Sequence, residues 1–389
     1  MNLSPTPLNN RVEALDLLRG FALLGIFIAN MLIFHTPYIH LDPFTWFSTP
    51  SDVATFRWID IFVQGSFYPI FAFLFGYGIN MQYEKSIERK SPFASIMAKR
   101  LGILLGIGLL HALLLWSGDI LFTYAVMGFA LILLVRIPAK WLMPFAALLY
   151  IIPATFLYLM MKLLMKTSPD LLVEGFADTR QIERSIEVFS QGSFGEIFIF
   201  RLLEWLVIGF GGTFMGFFIV LPIIMVGAAL SKWKIIERAA ELKGRLTIVT
   251  VIGLAIGIWI KVLPHIGEPT FDLVQLQDTF GGIILATGYV GLLLLLCTLP
   301  LFRTVFRPIG KAGRMSLTTY ITQSIVATFI FYSYGFGLYG HVDLLTGTWI
   351  AIGVFVLQVV FAELWLSKYQ MGPLEWLWRK GTYGRNSSK

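Results

Sequence analysis

Residues 100–136 read RLGILLGIGLLHALLLWSGDILFTYAVMGFALILLVR. Two apolar runs, 100–117 and 119–136, follow one another here with only a Gly118–Asp119 turn signal between them. An α-helix needs about 20 mainly apolar residues to cross the core of a bilayer, and each run approaches that length. The stretch therefore predicts two neighbouring membrane-spanning helices that are joined by a tight turn on the outer side.

The composition extends this prediction to the whole chain of 389 residues, of which 57% are hydrophobic and 14% are charged. Soluble domains carry about 25% charged residues, whereas the mean hydropathy of this chain is +0.75. These values exclude a water-soluble enzyme, a nucleic-acid-binding domain and a disordered chain. The single cysteine, Cys297, rules out an intramolecular disulfide and a thiolate zinc site. The sequence predicts an all-α, polytopic integral membrane bundle.

Apolar runs of spanning length set the number of helices. With the N-terminus inside, most of the 30 Lys and Arg residues fall in cytoplasmic segments, as the positive-inside rule requires. We therefore expect about ten spans in the bacterial cytoplasmic (inner) membrane, with both termini cytoplasmic. The ten runs are 16–35, 58–80, 100–117, 119–136, 141–164, 202–230, 246–263, 279–300, 314–334 and 346–367.

The spans form two groups of five, which predicts an N-terminal half at 1–164 and a C-terminal half with a cytoplasmic tail at 202–389. Between them, residues 165–201 are polar and external. Apolar residues recur in this segment at near-helical spacing, which predicts an amphipathic helix on the outer surface. They are Leu171, Phe176, Ile182, Ile186 and Phe189. The sixth run contains glycines and a proline, so we expect it to be tilted or broken.

Ionisable residues within spans are the candidates for function, because each costs about 2.5–3.5 kcal/mol at a helix centre. His111 lies inside the third span, and Asp119 and Tyr124 follow it across the turn at comparable depth. His111 is either a base or proton carrier, or a core histidine that a carbonyl satisfies. Asp60, at the outer start of the second span, is a further candidate acid or a helix-dipole residue. No second His or Cys has ligand spacing, so no metal is expected.

The cytoplasmic side has its own candidates. Asp16 and Arg19 lie three residues apart and share a helix face, which predicts either a local ion pair or an arginine held for an anionic ligand. Asn30 follows on the same face and is either a binding residue or a contact between helices.

Arginines at cytoplasmic helix ends extend this set. Arg100 and Arg314 follow the positive-inside rule, but the planar guanidinium also recognises phosphate. Gln323 is a polar residue within the ninth span for which the sequence assigns no partner. We include all three among the candidate binding residues.

Five short motifs are distributed along the chain from about residue 11 to residue 384. They are Leu15–Gly20 with Asn30, Phe73–Gly76, His111 with Gly118–Leu121 and Tyr124, Gly313–Thr318 with Tyr320 and Gln323, and Gly372–Arg379. With these motifs the chain resembles the YeiB-like family, bacterial membrane proteins with a C-terminal domain of unknown function. The opening motif is also similar to that of the transmembrane acyltransferases, which include heparan-acetylating enzymes.

The resemblance to the acyltransferases implies an enzyme with acyl-CoA as its co-substrate. Those enzymes take the donor from the cytoplasm and acylate an acceptor at or beyond the outer face, with a histidine central to the chemistry. For this chain it implies donor phosphates near Arg19, Arg100 and Arg314. His111 would be the general base, oriented by Asp119 or Asp60. His40 lies near the place of the key histidine in the heparan-acetylating branch, so both histidines stay candidates.

Other functions stay open at this stage. The main alternative is a proton-coupled secondary transporter of a small solute, with His111 and Asp60 carrying the protons. A structural or assembly protein is the third hypothesis. The expected partners are membrane lipids, a small-molecule or envelope-glycan acceptor and a second copy of the chain, with no nucleic acid.

Overall fold

The computed structural model describes residues 12–167 and 177–384. The described residues form helices and connecting segments, with no β-strand among them. Seven of the helices are long and apolar enough to cross a membrane. The prediction of an all-α, multi-pass membrane bundle is therefore confirmed.

Helices of the N-terminal part alternate between long, apolar helices and short helices in the connections. α1 begins without a side-chain cap, whereas Thr49 and Asp42 accept hydrogen bonds at the starts of the two short helices. The bounds are α1 Glu13–His35, α2 Pro43–Trp46, α3 Pro50–Phe62, α4 Tyr68–Glu88, α5 Phe93–Leu114, α6 Leu121–Leu134 and α7 Ala139–Thr167.

Helices of the C-terminal part include two π-helical turns, Trp205–Gly209 and Gln277–Gly281, each continuous with its neighbours. The α-helices are α8 Thr179–Gln191, α9 Phe194–Glu204, α10 Phe210–Lys232, α11 Lys243–Ile266, α12 Phe271–Leu276, α13 Gly282–Leu296, α14 Pro300–Arg314, α15 Ser316–Phe331, α16 Leu344–Lys368 and α17 Pro373–Tyr383.

α1 lies in the interior and packs against α4, α14, α15 and α16. Two glycines permit the closest of these approaches. A Cβ on Gly20 would lie 2.3 Å from the carbonyl oxygen of Ile309, and one on Gly313 would lie 2.0 Å from that of Asp16. Since real Cβ atoms do not come so close to backbone, the crossing of α1 and α14 requires glycine at both positions.

Two predicted spans differ from the helices observed. The run 58–80 is divided, because α3 ends at Phe62 and α4 begins at Tyr68. The run 202–230 is not broken: α9, a π-turn and α10 continue through it, and Pro222 lies within α10. A π-turn absorbs one extra residue per turn, so the helix changes its face without ending.

The turn between α5 and α6, expected on the outer surface, lies beneath α9. Trp116 in this turn is 1% exposed and stacks on Phe34 of α1 with ring centroids 4.2 Å apart. Arg201 of α9 donates a hydrogen bond to the carbonyl of Leu115, and Ser117 donates to Glu204 Oε2 at 3.0 Å. α9 thus packs against the turn and covers it.

α8 in this segment is amphipathic, as predicted. Ile182 and Phe189 are buried, and Phe189 stacks on Tyr332 with centroids 4.5 Å apart. Of the predicted apolar face, Leu171 and Phe176 lie outside the described residues.

The exposed apolar side chains of α7 and α11, such as Phe156 on α7, form the surface expected to face lipid.

Candidate functional site

His111 lies at the centre of a buried hydrogen-bonded cluster. Its Nδ1 is 2.7 Å from Asp119 Oδ2, and its Nε2 is 2.8 Å from Ser324 Oγ. The His111 and Asp119 side chains are 1% and 0% exposed. The two contacts match a neutral imidazole that donates a hydrogen bond from Nδ1 to the Asp119 carboxylate and accepts one at Nε2 from the Ser324 hydroxyl.

Three elements hold this cluster. His111 lies in the last turn of α5, and Asp119 lies in the covered turn, where Oδ1 accepts from Phe122 N at 2.7 Å at the start of α6. Gly108 allows this approach, because a Cβ there would lie 2.4 Å from Phe122 N. Ser324 comes from α15 on the opposite side. Asp119 is therefore a positioning residue that fixes the ring orientation of His111.

Two tyrosines lie beside the cluster in different ways. The ring of Tyr320 packs against that of His111, with centroids 5.2 Å apart, and its hydroxyl accepts from Ile120 N at 3.4 Å. Tyr124 does not pair with His111 as its depth suggested. Its hydroxyl donates to the carbonyl of Tyr68 at 3.0 Å, since its ring points toward α4.

A cavity of about 390 Å³ opens at the end of the bundle where α1 begins and α4 ends, which we call the basic end. It extends inward to Leu121, Tyr124 and Tyr320, so Tyr320 separates this basic-end cavity from His111. Its polar lining contains five basic side chains and two acidic ones. They are Arg19, Lys85, Arg100, Arg314, Arg379, Asp16 and Glu375.

The predicted cytoplasmic candidates lie around this cavity. Arg19 Nη1 donates to Asp16 Oδ1 at 3.2 Å, which confirms the ion pair. The Arg100 guanidinium stacks over Trp378 at 4.0 Å, and Arg314 Nη2 donates to the carbonyl of Gln370 at 2.9 Å. The cavity therefore collects cations from α1, α5, α14 and α17, which is the electrostatic requirement for holding a polyanion.

α17 closes one side of the basic-end cavity, a position that the sequence did not predict. Glu375 accepts from Leu317 N at 2.7 Å and from Thr318 N at 3.1 Å, so it caps the start of α15. Burial raises the pKa of Glu375, and the bonds from Thr318 oppose that rise. The marker motif at Gly372–Arg379 thus fixes the helix that carries Tyr320 and Ser324.

A second cavity, of about 440 Å³, lies at the opposite end of the bundle, which we call the far end. Asn30, Gln64 and Asp278 line it, and its described lining includes no Lys or Arg. Ile120 is among the residues that line this far-end cavity, while the next residue, Leu121, lines the basic-end cavity. Adjacent residues directly after Asp119 therefore belong to the walls of different cavities.

Asp60 belongs to a separate cluster. Its Oδ2 is 2.6 Å from His265 Nε2 and accepts from Gln277 Nε2 at 2.5 Å, while Lys261 Nζ lies 3.9 Å from Oδ1. Asp119, and not Asp60, is thus the carboxylate that contacts His111. The reason is the division of the second span: α3 carries Asp60 against α11 and the π-turn, away from α5.

The remaining candidates have structural contacts. Gln323 donates from Nε2 to Gln358 Oε1 at 3.2 Å and lines neither cavity. His40 Nε2 lies 3.5 Å from Glu204 Oε1 beside the covered turn. Within residues 12–167 and 177–384, no three His, Cys, Asp or Glu residues form a group that could hold a metal ion.

Sequence reasoning missed several residues of both clusters. Ser324 gave no signal, because serine is common in membrane helices as a contact between helices. Lys261 and His265 did give one: they lie four residues apart in an apolar run, and so share a helix face. Gln277 lies at a helix start, where polar residues are ordinary.

The fold and the buried clusters define a multi-pass α-helical membrane protein with an internal polar site. A family model described as a protein of unknown function (DUF418) matches residues 230–385. The chain is 34% identical to the uncharacterised protein YxaH of Bacillus subtilis strain 168, over 98% of this chain and 96% of that protein. It is 29% identical to the uncharacterised protein YeiB of Escherichia coli K12, over 96% of both chains.

The chain belongs to the YeiB-like family. An uncharacterised 39.9 kDa protein from the amylase 3' region of Bacillus acidopullulyticus is 28% identical over 98% of this chain and 97% of that protein. No solved structure matches. The relatives extend over nearly the whole chain, so the resemblance drawn from the five motifs is confirmed at the level of the family.

Proposed function

We propose that the protein is a membrane-embedded acyltransferase. It takes an acyl-CoA at the basic end and transfers the acyl group to a hydroxyl or amine on an acceptor that enters from the far end. The observation that carries this proposal is that the adjacent residues Ile120 and Leu121 line different cavities directly after Asp119, which is bonded to His111. A reaction that joins substrates from two sides of a membrane needs its base at such a point.

The basic-end cavity suits the donor. Ligand pockets have volumes of about 300–1,000 Å³, and this cavity of about 390 Å³ falls within that range. The phosphates of CoA would lie near Arg19, Arg100 and Arg314, because arginine binds phosphate through two parallel hydrogen bonds. The far-end cavity, with amide and carboxylate groups and no cation in its described lining, suits a neutral acceptor such as an envelope glycan.

The base in this proposal is His111. Nδ1 is committed to Asp119, so Nε2 is the nitrogen that can take a proton. When an attacking oxygen or nitrogen adds to the thioester carbonyl, its proton passes to Nε2. The carbon–sulfur bond then breaks, and the imidazolium returns the proton to the departing thiolate of CoA. Protons and electron pairs balance without a metal or a redox group.

The proposed orientation places the basic end in the cytoplasm of a bacterium. Ten crossings, with α4, α6 and α15 added to the seven longest helices, put both termini on that side, in the inner membrane. The support is the positive-inside rule: α14 presents Arg303, Arg307 and Lys311 at the basic end. Cysteine labels at Lys234 and Arg307 should then be protected from an external impermeant reagent, and one at Asp272 should react.

Calorimetry of the purified protein with acetyl-CoA tests the donor site. We expect binding that falls with salt, and release of CoA thiol when an envelope-glycan extract is added at the far side of proteoliposomes. His111→Gln should bind acetyl-CoA like the wild type and release no thiol. Absence of acetyl-CoA binding by the wild type would refute the acyltransferase.

Proton-coupled transport is the second candidate, because the bundle has a cavity at each end and contains two buried clusters of titratable side chains. In that case proteoliposomes with a pH-sensitive dye should show proton flux that His111→Gln and Asp60→Asn abolish. An acyltransferase gives thiol release without such flux, so the two assays separate the candidates.

A further inference from the structure

The hydroxyl of Ser324 has no part in a direct transfer from donor to acceptor, yet it is the group that His111 Nε2 contacts, at 2.8 Å. In a neutral imidazole whose Nδ1 donates to Asp119, Nε2 is the acceptor, and the hydrogen in this contact belongs to Ser324. A hydroxyl, an imidazole and a carboxylate bonded in this order form the arrangement that activates a serine nucleophile.

The bond is not what an ordinary serine in a membrane helix makes. Such hydroxyls normally donate to a carbonyl on the preceding turn. Two neighbours on α15 do so: Thr322 donates to the carbonyl of Thr318 at 2.8 Å, and Thr328 to that of Ile325 at 3.3 Å. Ser324 instead bonds across the bundle to a residue 213 positions away in the chain.

We propose that Ser324 is a covalent relay, which accepts the acyl group from the thioester as an ester before the acceptor is acylated. This inference rests on the proposed acyl transfer. In the first half, Ser324 Oγ attacks the thioester carbonyl while His111 Nε2 takes its proton. The carbon–sulfur bond breaks, and the proton passes to the CoA thiolate. In the second half, the acceptor gives its proton to His111 and attacks the ester, and Ser324 leaves and regains a proton.

The position of Ser324 suits a relay between the two cavities. Tyr320 lies four residues earlier on α15, so it shares the face of Ser324 about 6 Å nearer the basic end. Tyr320 lines the basic-end cavity and its ring packs on His111, so this one side chain lies between the cavity and the cluster. Ser324 is 1% exposed, and burial protects an ester from hydrolysis until the acceptor arrives.

The relay predicts a trapped intermediate. Purified wild type is incubated with radiolabelled acetyl-CoA without acceptor, quenched in acid and digested. We expect an acetyl group on the peptide containing Ser324, approaching one per chain and released by alkaline hydroxylamine. In Ser324→Ala the amount of label on this peptide should fall more than 100-fold. Ser117→Ala, which removes another hydroxyl beside Asp119 that bonds to Glu204, should keep it.

A second readout does not depend on the donor. A fluorophosphonate probe, which reacts with activated serines, should label Ser324 in the wild type. In His111→Gln the rate of this labelling should fall more than 100-fold. Ser324→Cys keeps a nucleophile at the same place and should be acetylated as a thioester, which shows that the helix is intact. An equal reaction rate in wild type and His111→Gln would count against activation of the serine.

Failures of the two proposals are distinguishable. If the wild type transfers acetyl groups to an acceptor without a Ser324 adduct, and Ser324→Ala transfers at a rate within tenfold, the relay is wrong and direct transfer stands. If the wild type neither binds nor cleaves acetyl-CoA, the acyltransferase and the relay fall together.

Discussion

Two buried pairs of histidine and aspartate lie among the residues that the structure describes, and they differ in the groups that surround each pair. His111 is held by Asp119 on one side and contacts the hydroxyl of Ser324 on the other. His265 contacts Asp60, whose carboxylate also faces the ammonium of Lys261 and the amide of Gln277. In the first cluster, the His111 nitrogen that does not face Asp119 contacts an uncharged hydroxyl. In the second cluster, the Asp60 carboxylate is surrounded by hydrogen-bond donors.

The difference indicates opposite roles. A base needs a free nitrogen that faces a group able to lose a proton, and His111 Nε2 meets that condition. In the second cluster the donors converge on the carboxylate, so Asp60 joins α3 to α11 and the π-turn at Gln277–Gly281. Such a buried ionic link breaks at a large cost when one partner is removed, because the other charge is left without compensation. We therefore expect the first cluster to control activity and the second to control stability.

The largest effect should separate the two histidines. His111→Gln should lower acyl transfer by about 10²–10⁴-fold, the usual contribution of a general base, and leave thermal stability near that of the wild type. His265→Gln should show the reverse, with a lower melting temperature and little loss of activity per folded molecule. Both quantities are measured on both variants. A fully active His111→Gln would make His111 a core histidine and remove the contrast.

The second prediction concerns the charge balance around Asp60. Asp60→Ala removes the carboxylate that lies 3.9 Å from Lys261, whose side chain is 0% exposed, and should cost about 3–5 kcal/mol of unfolding free energy. The double variant Asp60→Ala with Lys261→Met removes both charges and should recover most of that loss. Reversible unfolding in mixed micelles measures the unfolding free energy of both variants. If the double variant is no more stable than the single one, the two charges do not form the link described.

These two clusters also show how far the sequence could predict the site. His111 and Asp119 lie eight residues apart across one turn, so the apolar pattern alone brought them close. The residues that decide the difference are distant: Ser324 is 213 positions from His111, and His265 is 205 from Asp60. No periodicity specifies which helices meet, and that is decided by side-chain packing.

The fold was easier to predict from the sequence than the site, because the thickness of the bilayer requires apolar runs of about 20 residues. Each predicted apolar run contains helix in the structure. One prediction fails where packing overrode pattern, because the second run divides into α3 and α4. The sequence also did not indicate that the turn at Asp119 is covered by α9, through bonds from Arg201 and to Glu204. A short polar turn looks exposed in a sequence unless the segment that covers it is known.

The third prediction sharpens the comparison at the level of the two cavities. Arg19 lines the basic-end cavity and Gln275 the far-end cavity. A hydrogen bond to a charged group is worth about 1.5–3 kcal/mol, so Arg19→Ala should weaken acetyl-CoA binding roughly 10–150-fold. Gln275→Ala should leave it unchanged. Calorimetry measures the acetyl-CoA affinity of both variants. Equal losses of affinity would show that the donor does not distinguish the two ends.

The smallest expected effect concerns how the basic-end cavity holds Arg100. The guanidinium stacks over Trp378 at 4.0 Å, while Trp376, two residues away on α17, stacks with Lys380 at 4.7 Å on an exposed face. Each stack is worth about 0.5–1 kcal/mol. Trp378→Leu should therefore weaken acetyl-CoA binding about 2–5-fold, because Arg100 loses its fixed orientation toward the cavity. Trp376→Leu removes a similar stack that does not face the cavity and should bind as the wild type does. Trp378 also donates from Nε1 to the carbonyl of Arg100 at 2.8 Å, so Trp378→Leu should lose more stability than Trp376→Leu. The affinity is therefore measured on folded protein, and matching affinities in the two variants would show that Arg100 does not contact the donor.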